Sequence, residues 1–214
     1  MADGPVIQRS SERALARKAG TAYVFDCVRR FRQSDADTPV VLMGYLNPVE
    51  IYGAQRFAAD AAGAGVDGLL LVDLPPEEAD EARAVFNASG IDLIMLAAPT
   101  TTPERLDRMA AEAQGYLYYV SFAGVTGADR IDTGEVLGRV AALRARSRVP
   151  VAVGFGVKDA ATAAALAPAA DGVVVGSALV ASLAGAASPE DAAARARSFL
   201  APLRAALDAL PPAG

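Results

Sequence analysis

The chain has no histidine among its 214 residues, one cysteine (Cys27), and lysine only at Lys18 and Lys158. Without histidine there is no imidazole base, no Ser-His-Asp triad and none of the common zinc sites. A single cysteine permits neither an internal disulfide nor a thiolate cluster. That usage fits a reducing cytoplasm, and Cys27 reads as a small side chain on a helix. Lys18 falls in an early helical segment, and Lys158 reads as opening a helix just after Gly156. Neither sits at the buried strand end that Schiff-base chemistry needs. There is no basic run either. Lys+Arg number 20 against 25 Asp+Glu, a net charge of −5 and a pI near 4.8, which argues against a nucleic-acid surface. Every long apolar stretch is interrupted by Gly, Asp or Arg before it could span a bilayer. Met1 leads into Ala2-Asp3-Gly4-Pro5, which is not a secretory leader, so a cytoplasmic location is expected. Carboxylates, tyrosines, hydroxyls and backbone amides are what remain for catalysis.

What is present is an alternation of strand and helix. Two helical pieces, Gln8 to Ala19 and Tyr23 to Gln33, come first. Short apolar runs follow at Val40–Met43, Leu69–Val72, Leu93–Leu96 and Leu117–Val120, and then two runs that end in glycine. Between them lie helical patterns. One starts at Asn47-Pro48 and carries Ile51, Phe57, Ala58, Ala61 and Ala62. One follows Pro76-Glu77-Glu78, and one opens at Thr102-Pro103-Glu104. Continuous apolar strands separated by helices mean a parallel sheet covered on both faces. The regular repeat favours a (β/α)8 barrel of the TIM type over a doubly wound sheet, whose early G-x-G-x-x-G is missing. Six strands are found rather than eight, and such barrels typically need ~250 residues. Residues 1–214 are therefore expected to form a single β/α-barrel domain that lacks its two N-terminal β/α units.

The two glycine-ended runs are Val151-Ala152-Val153-Gly154-Phe155-Gly156 and Gly172-Val173-Val174-Val175-Gly176-Ser177. Glycine lets backbone N–H groups approach an anion, and a following helix would point its positive end at the same place. Two such units in succession look like the phosphate site of the last two strand-to-helix loops of a β/α barrel. A phosphorylated small molecule is the expected ligand.

Longer motifs carry a resemblance. ADGPVIQ (Ala2 to Gln8), MGYLNP (Met43 to Pro48), GVDGLLLVDLPPEE (Gly65 to Glu78), YYVSFAGVTG (Tyr118 to Gly127), VGFGV (Val153 to Val157) and GVVVGSALV (Gly172 to Val180) run along the whole chain. With them the chain resembles the tryptophan synthase alpha subunit family. The resemblance implies an eight-stranded barrel that splits indole-3-glycerol phosphate into indole and glyceraldehyde-3-phosphate. It implies a partner, a beta subunit in an alpha–beta complex, which holds pyridoxal phosphate; no cofactor is expected in this chain, and no metal.

The resemblance also assigns residues. Asp3 becomes the carboxylate facing the indole N–H. Ile7, Leu42, Tyr45, Tyr118 and Thr126 become substrate contacts, and Gly127, Gly156, Gly176 and Ser177 the phosphate site. Gly127-Ala128-Asp129-Arg130 becomes a lid, with Phe122 departing from the polar residue common nearby. Each has a plainer structural reading. Asp3 and Asp73 suit turns or caps, Ile7 and Leu42 suit the core, Tyr45 ends a strand and Tyr118 lies within one. The family's second acidic group, a glutamate, belongs to a strand upstream of Met1, so impaired turnover is expected. Three readings follow: a lyase whose start is placed too late, a non-catalytic alpha-like chain that binds a beta subunit through Asn47 to Tyr52, and a gene remnant.

Overall fold

The computed structural model describes residues 3–120, 133–154 and 156–210. Two helices, α1 (Pro5–Ala16) and α2 (Thr21–Arg32), precede the first strand, β1 (Val41–Gly44). Then come α3 (Leu46–Tyr52), α4 (Ala54–Ala64), β2 (Gly68–Leu71), α5 (Ala79–Asn87), β3 (Asp92–Ala97), α6 (Pro103–Glu112) and β4 (Leu117–Val120). The described chain closes with α7 (Thr133–Arg144), β5 (Val151–Gly154), α8 (Ala160–Leu166), β6 (Gly172–Val173), α9 (Ser177–Leu183) and α10 (Pro189–Asp208). The strands pair in chain order, β1-β2-β3-β4-β5-β6, all parallel, and form a curled half-barrel.

Alternation along each strand sorts side chains onto two faces. Leu42, Leu69 and Leu93 lie in register on the helix-facing side, as do Met95, Leu117 and Val151. They feed two cores under the helices. One joins α2, α3, α4 and α5 to β1, β2 and β3, with Phe25, Phe57 and Phe86 buried. Phe25 and Phe57 meet edge to face at 5.2 Å between ring centroids, a geometry worth about 1 kcal/mol beyond burial. The other core packs Met109, Tyr119, Val140, Leu166 and Leu203 around β4 and β5. The concave face holds a smaller cluster: Leu70, Ile94 and Tyr118, with Val41, Val72, Leu96, Tyr116, Val120 and Val174 against them. Far across the sequence, α1 packs on α9.

The strands fall where the apolar runs predict them, and the helix boundaries differ in instructive ways. The helix expected from Asn47 onward is two helices. Gly53 stands between α3 and α4 at φ +89°, a conformation that glycine adopts without strain. Ile51, expected on its buried face, is 79% exposed on α3. Pro76–Glu78 forms a separate 3-10 turn before α5. The last strand is shorter than its apolar run. Only Gly172 and Val173 pair, and the Val174 N–H adds one more bond to the Val153 carbonyl at 2.8 Å. At α6 the expected start is seen: the Thr102 hydroxyl accepts from the Arg105 N–H, with Pro103 in the first turn.

Two arginines fasten the scaffold. Arg32, at the end of α2, donates to the carbonyls of Gly65, Asp35 and Thr38 at 2.9, 3.2 and 2.7 Å, and to the Asp67 carboxylate at 2.6 Å. Asp67 also accepts from the Val40 N–H, so one guanidinium ties α2 to the entries of both β1 and β2. Arg105 on α6 grips Glu77 with two bonds of 2.6 Å each and holds its carboxyl down at about 2.

Arg32→Met removes all four bonds and should cost about 2 kcal/mol in urea unfolding. An unchanged midpoint would show that the guanidinium does not fasten the strands. For Glu77 the folded value lies below the ordinary 4.5, so the pair's contribution is present above that value and lost as pH falls toward about 2. The stability difference between the wild type and Arg105→Gln should therefore shrink across that window. NMR titration of Glu77 in the variant should return its carboxyl toward the ordinary value.

Candidate active site

The C-terminal ends of parallel strands share one rim, where β/α barrels build their sites. At the first strand, Tyr45 follows β1 directly and precedes α3. Its hydroxyl donates to the Asp3 carboxylate at 3.1 Å, across 42 residues of sequence. Asp3 is half-buried and lies two residues before α1. The Tyr45 phenol is held above its usual range, first by partial desolvation and then by the bond to Asp3. Asp73, just beyond β2, accepts from the Leu46 N–H at 2.8 Å and so satisfies the first turn of α3, the capping part its position suggests.

At the other end of the rim, Tyr118, Gly154, Gly156, Lys158, Gly176 and Ser177 line a cleft of about 350 Å3 with Val120, Val157, Val174 and Ala178. Tyr118 is buried, and burial raises its phenol above the usual range. It lies so close to Gly154 that a Cβ there would meet two of its ring carbons at 2.6 and 2.7 Å. Gly156 turns the chain at φ +48°, a second place where glycine is needed for its backbone. Gly176 precedes α9, whose first residue is the exposed Ser177 and whose first turn has no side-chain cap.

The helix after Gly156 differs from the expectation in two respects. Lys158 does not open it, because Asp159 is the cap residue and the helix begins at Ala160. The positive end of α8 is also already occupied. The Asp159 carboxylate accepts from the Thr162 N–H at 2.8 Å, and the Thr162 hydroxyl accepts from the Asp159 N–H at 3.2 Å, a reciprocal capping box. These bonds hold the Asp159 carboxyl below its usual range.

The structure thus brings Asp3 to Tyr45, and Tyr118 to Gly156, Gly176 and Ser177. It does not bring Leu42 to the concave face: Leu42 packs with the helix-side core. Met43 has that face instead, opposite Leu70, and is 53% exposed because β1 is an edge strand. Ile7 is half-buried on α1. Thr126 and Gly127 lie outside the described residues, as do Phe122 and residues 128–130. Two site residues were missed from the sequence. Tyr116 lies on the concave face two positions before Tyr118, and a period-two reading of the strand would have found it. Lys158 lines the cleft, and no periodicity announces a loop residue.

The family model described as tryptophan synthase alpha chain matches residues 1–208. The tryptophan synthase alpha chain of Xanthomonas campestris pv. campestris is 65% identical over 210 residues, which are 98% of this chain and 77% of that relative. The crystal structure of the alpha chain from Legionella pneumophila superposes with a TM-score of 0.86 at 43% identity, covering 99% of this chain and 78% of that one. A structure described for the mutual activation of the a2b2 complex of Pyrococcus furiosus superposes with a TM-score of 0.82 at 34% identity, covering 96% and 81%.

Gly154→Ala should force Tyr118 aside and cost about 1–3 kcal/mol in urea unfolding. Adding Tyr118→Val removes the obstructing ring, so the double variant should lose less than the two single losses summed. Simple additivity would show that the two side chains do not compete for the same space.

Proposed function

The chain belongs to the tryptophan synthase alpha chain family, carbon–carbon lyases of tryptophan biosynthesis, and from this we propose that its rim binds and cleaves indole-3-glycerol phosphate. Breaking the bond between ring and side chain needs a proton delivered to the indole carbon that carries the side chain, and one removed from the adjacent glycerol hydroxyl. The products are indole and glyceraldehyde-3-phosphate. As the ring is protonated, its nitrogen becomes electron-poor, and a carboxylate facing the N–H stabilises that charge. Asp3 takes this part, and the bond from Tyr45 is the observation that carries the reading, because it fixes a carboxylate at the strand-end rim. Tyr118 flanks the cleft that takes the phosphate, where Gly156, Gly176 and Ser177 offer backbone and hydroxyl donors.

No residue of this chain is assigned the second acidic role, the glutamate of the resembled family. A polypeptide of these 214 residues alone therefore turns over slowly. Released indole passes to a beta-type subunit that carries pyridoxal phosphate; the lyase step itself uses no cofactor. The apolar side chain of Ile51, exposed on α3, supports a partner surface there, and the a2b2 complex of the Pyrococcus relative supports its kind.

Indole release from indole-3-glycerol phosphate, measured with and without a beta subunit, tests both parts. Asp3→Asn should lower turnover at least about 100-fold and leave the binding of glycerol phosphate in place. Turnover indifferent to Asp3 would remove the assigned role. A rate within about tenfold of a longer relative would overturn the slow-turnover reading.

A further inference from the structure

We infer that Lys158 makes the cleft selective for a doubly charged phosphate, an inference that rests on the phosphate reading of that cleft. Lys158 is the one charged side chain among the described residues that line it, beside Gly156, Gly176 and Ser177. It is exposed and forms no ion pair among the described residues. The neighbouring Asp159 carboxylate is already engaged by the backbone and hydroxyl of Thr162.

The need for a cation follows from the local electrostatics. The glycine loops offer N–H groups, which carry partial charges only. The Asp159 carboxylate takes up the Thr162 N–H in the first turn of α8 and sets a negative charge next in sequence to Lys158. The whole chain is also negative, at −5. A phosphate dianion entering such a site has only partial charges to set against Asp159 and the negative chain unless a full positive charge stands nearby. An ammonium on a flexible stem supplies that charge without fixed geometry, and it is screened by salt in a way that hydrogen bonds from backbone amides are not. Lys158 thus offsets Asp159 and turns a set of neutral donors into a site that prefers phosphorylated ligands to plain polyols. It acts as a specificity residue for the substrate's phosphate end, not as a proton carrier.

Calorimetric titration with sn-glycerol 3-phosphate, at about 0.05 and about 0.5 M salt, tests this. The wild type should bind and weaken with salt. Lys158→Met should bind about tenfold more weakly at low salt and lose most of the salt response, and Lys158→Arg should stay within about threefold of the wild type. Ser177→Ala should weaken binding but keep the salt response. The backbone N–H of Lys158, which donates to the Thr162 hydroxyl at 3.2 Å, is untouched by these changes, so the variants should fold. Lys158→Met with wild-type affinity and salt response would overturn the inference. No binding by a folded wild type, checked by circular dichroism, would overturn the phosphate reading itself.

Discussion

Parallel pairing in strict chain order is the constraint from which the rest follows. Because β1 to β6 run the same way, every strand ends at the same rim, and Tyr45, Asp73, Gly156 and Gly176 arrive there from separate parts of the sequence. Parallel strands need both faces covered, which is why each is followed by helical chain with an apolar side. The helix side is filled by two large cores. The concave side holds fewer residues, so small changes there, such as which of Leu42 and Met43 points inward, decide what the rim can contact.

The chemistry divides along the rim. One end carries a carboxylate, Asp3, held by a phenol. The other carries glycines, a hydroxyl and, among the described residues, one cation, Lys158. The two ends are linked through one element, because Asp3 lies just before α1 and α1 packs on α9, the helix that begins with Ser177. A shift of α1 therefore moves both the carboxylate and the hydroxyl side of the glycine-lined cleft. The arginine that anchors α2, next in the chain, belongs to the same support, since Arg32 fixes α2 to the starts of β1 and β2.

Much of this was legible in the sequence. Six apolar runs gave six strands, because a strand buried on both faces needs an unbroken apolar run and little else does at that length. The pairing of Asp3 with Tyr45 was not legible, since it joins residues 42 apart and depends on how α1 folds back. The break at Gly53 was hidden because Phe57, Ala58 and Ala61 continue the apolar spacing past it. Leu42 was assigned by the resemblance alone; which of Leu42 and Met43 points inward depends on strand register, which no motif states. The cap at Asp159 was overlooked because its partner is a threonine three residues on, in place of the more usual Glu or Gln.

Sequential pairing also bears on how the chain folds. Each strand meets the one before it, so sheet growth needs only the closure of short stretches, the kind of local contact that speeds folding. The sheet can lengthen unit by unit as the chain is synthesised, each new strand finding an edge already formed. The packing of α1 on α9 is different. It joins the two ends of the described chain and must wait until nearly all of it has emerged. The step that unites the two halves of the rim is thereby among the last to form, and a chain halted earlier holds the carboxylate without the cleft.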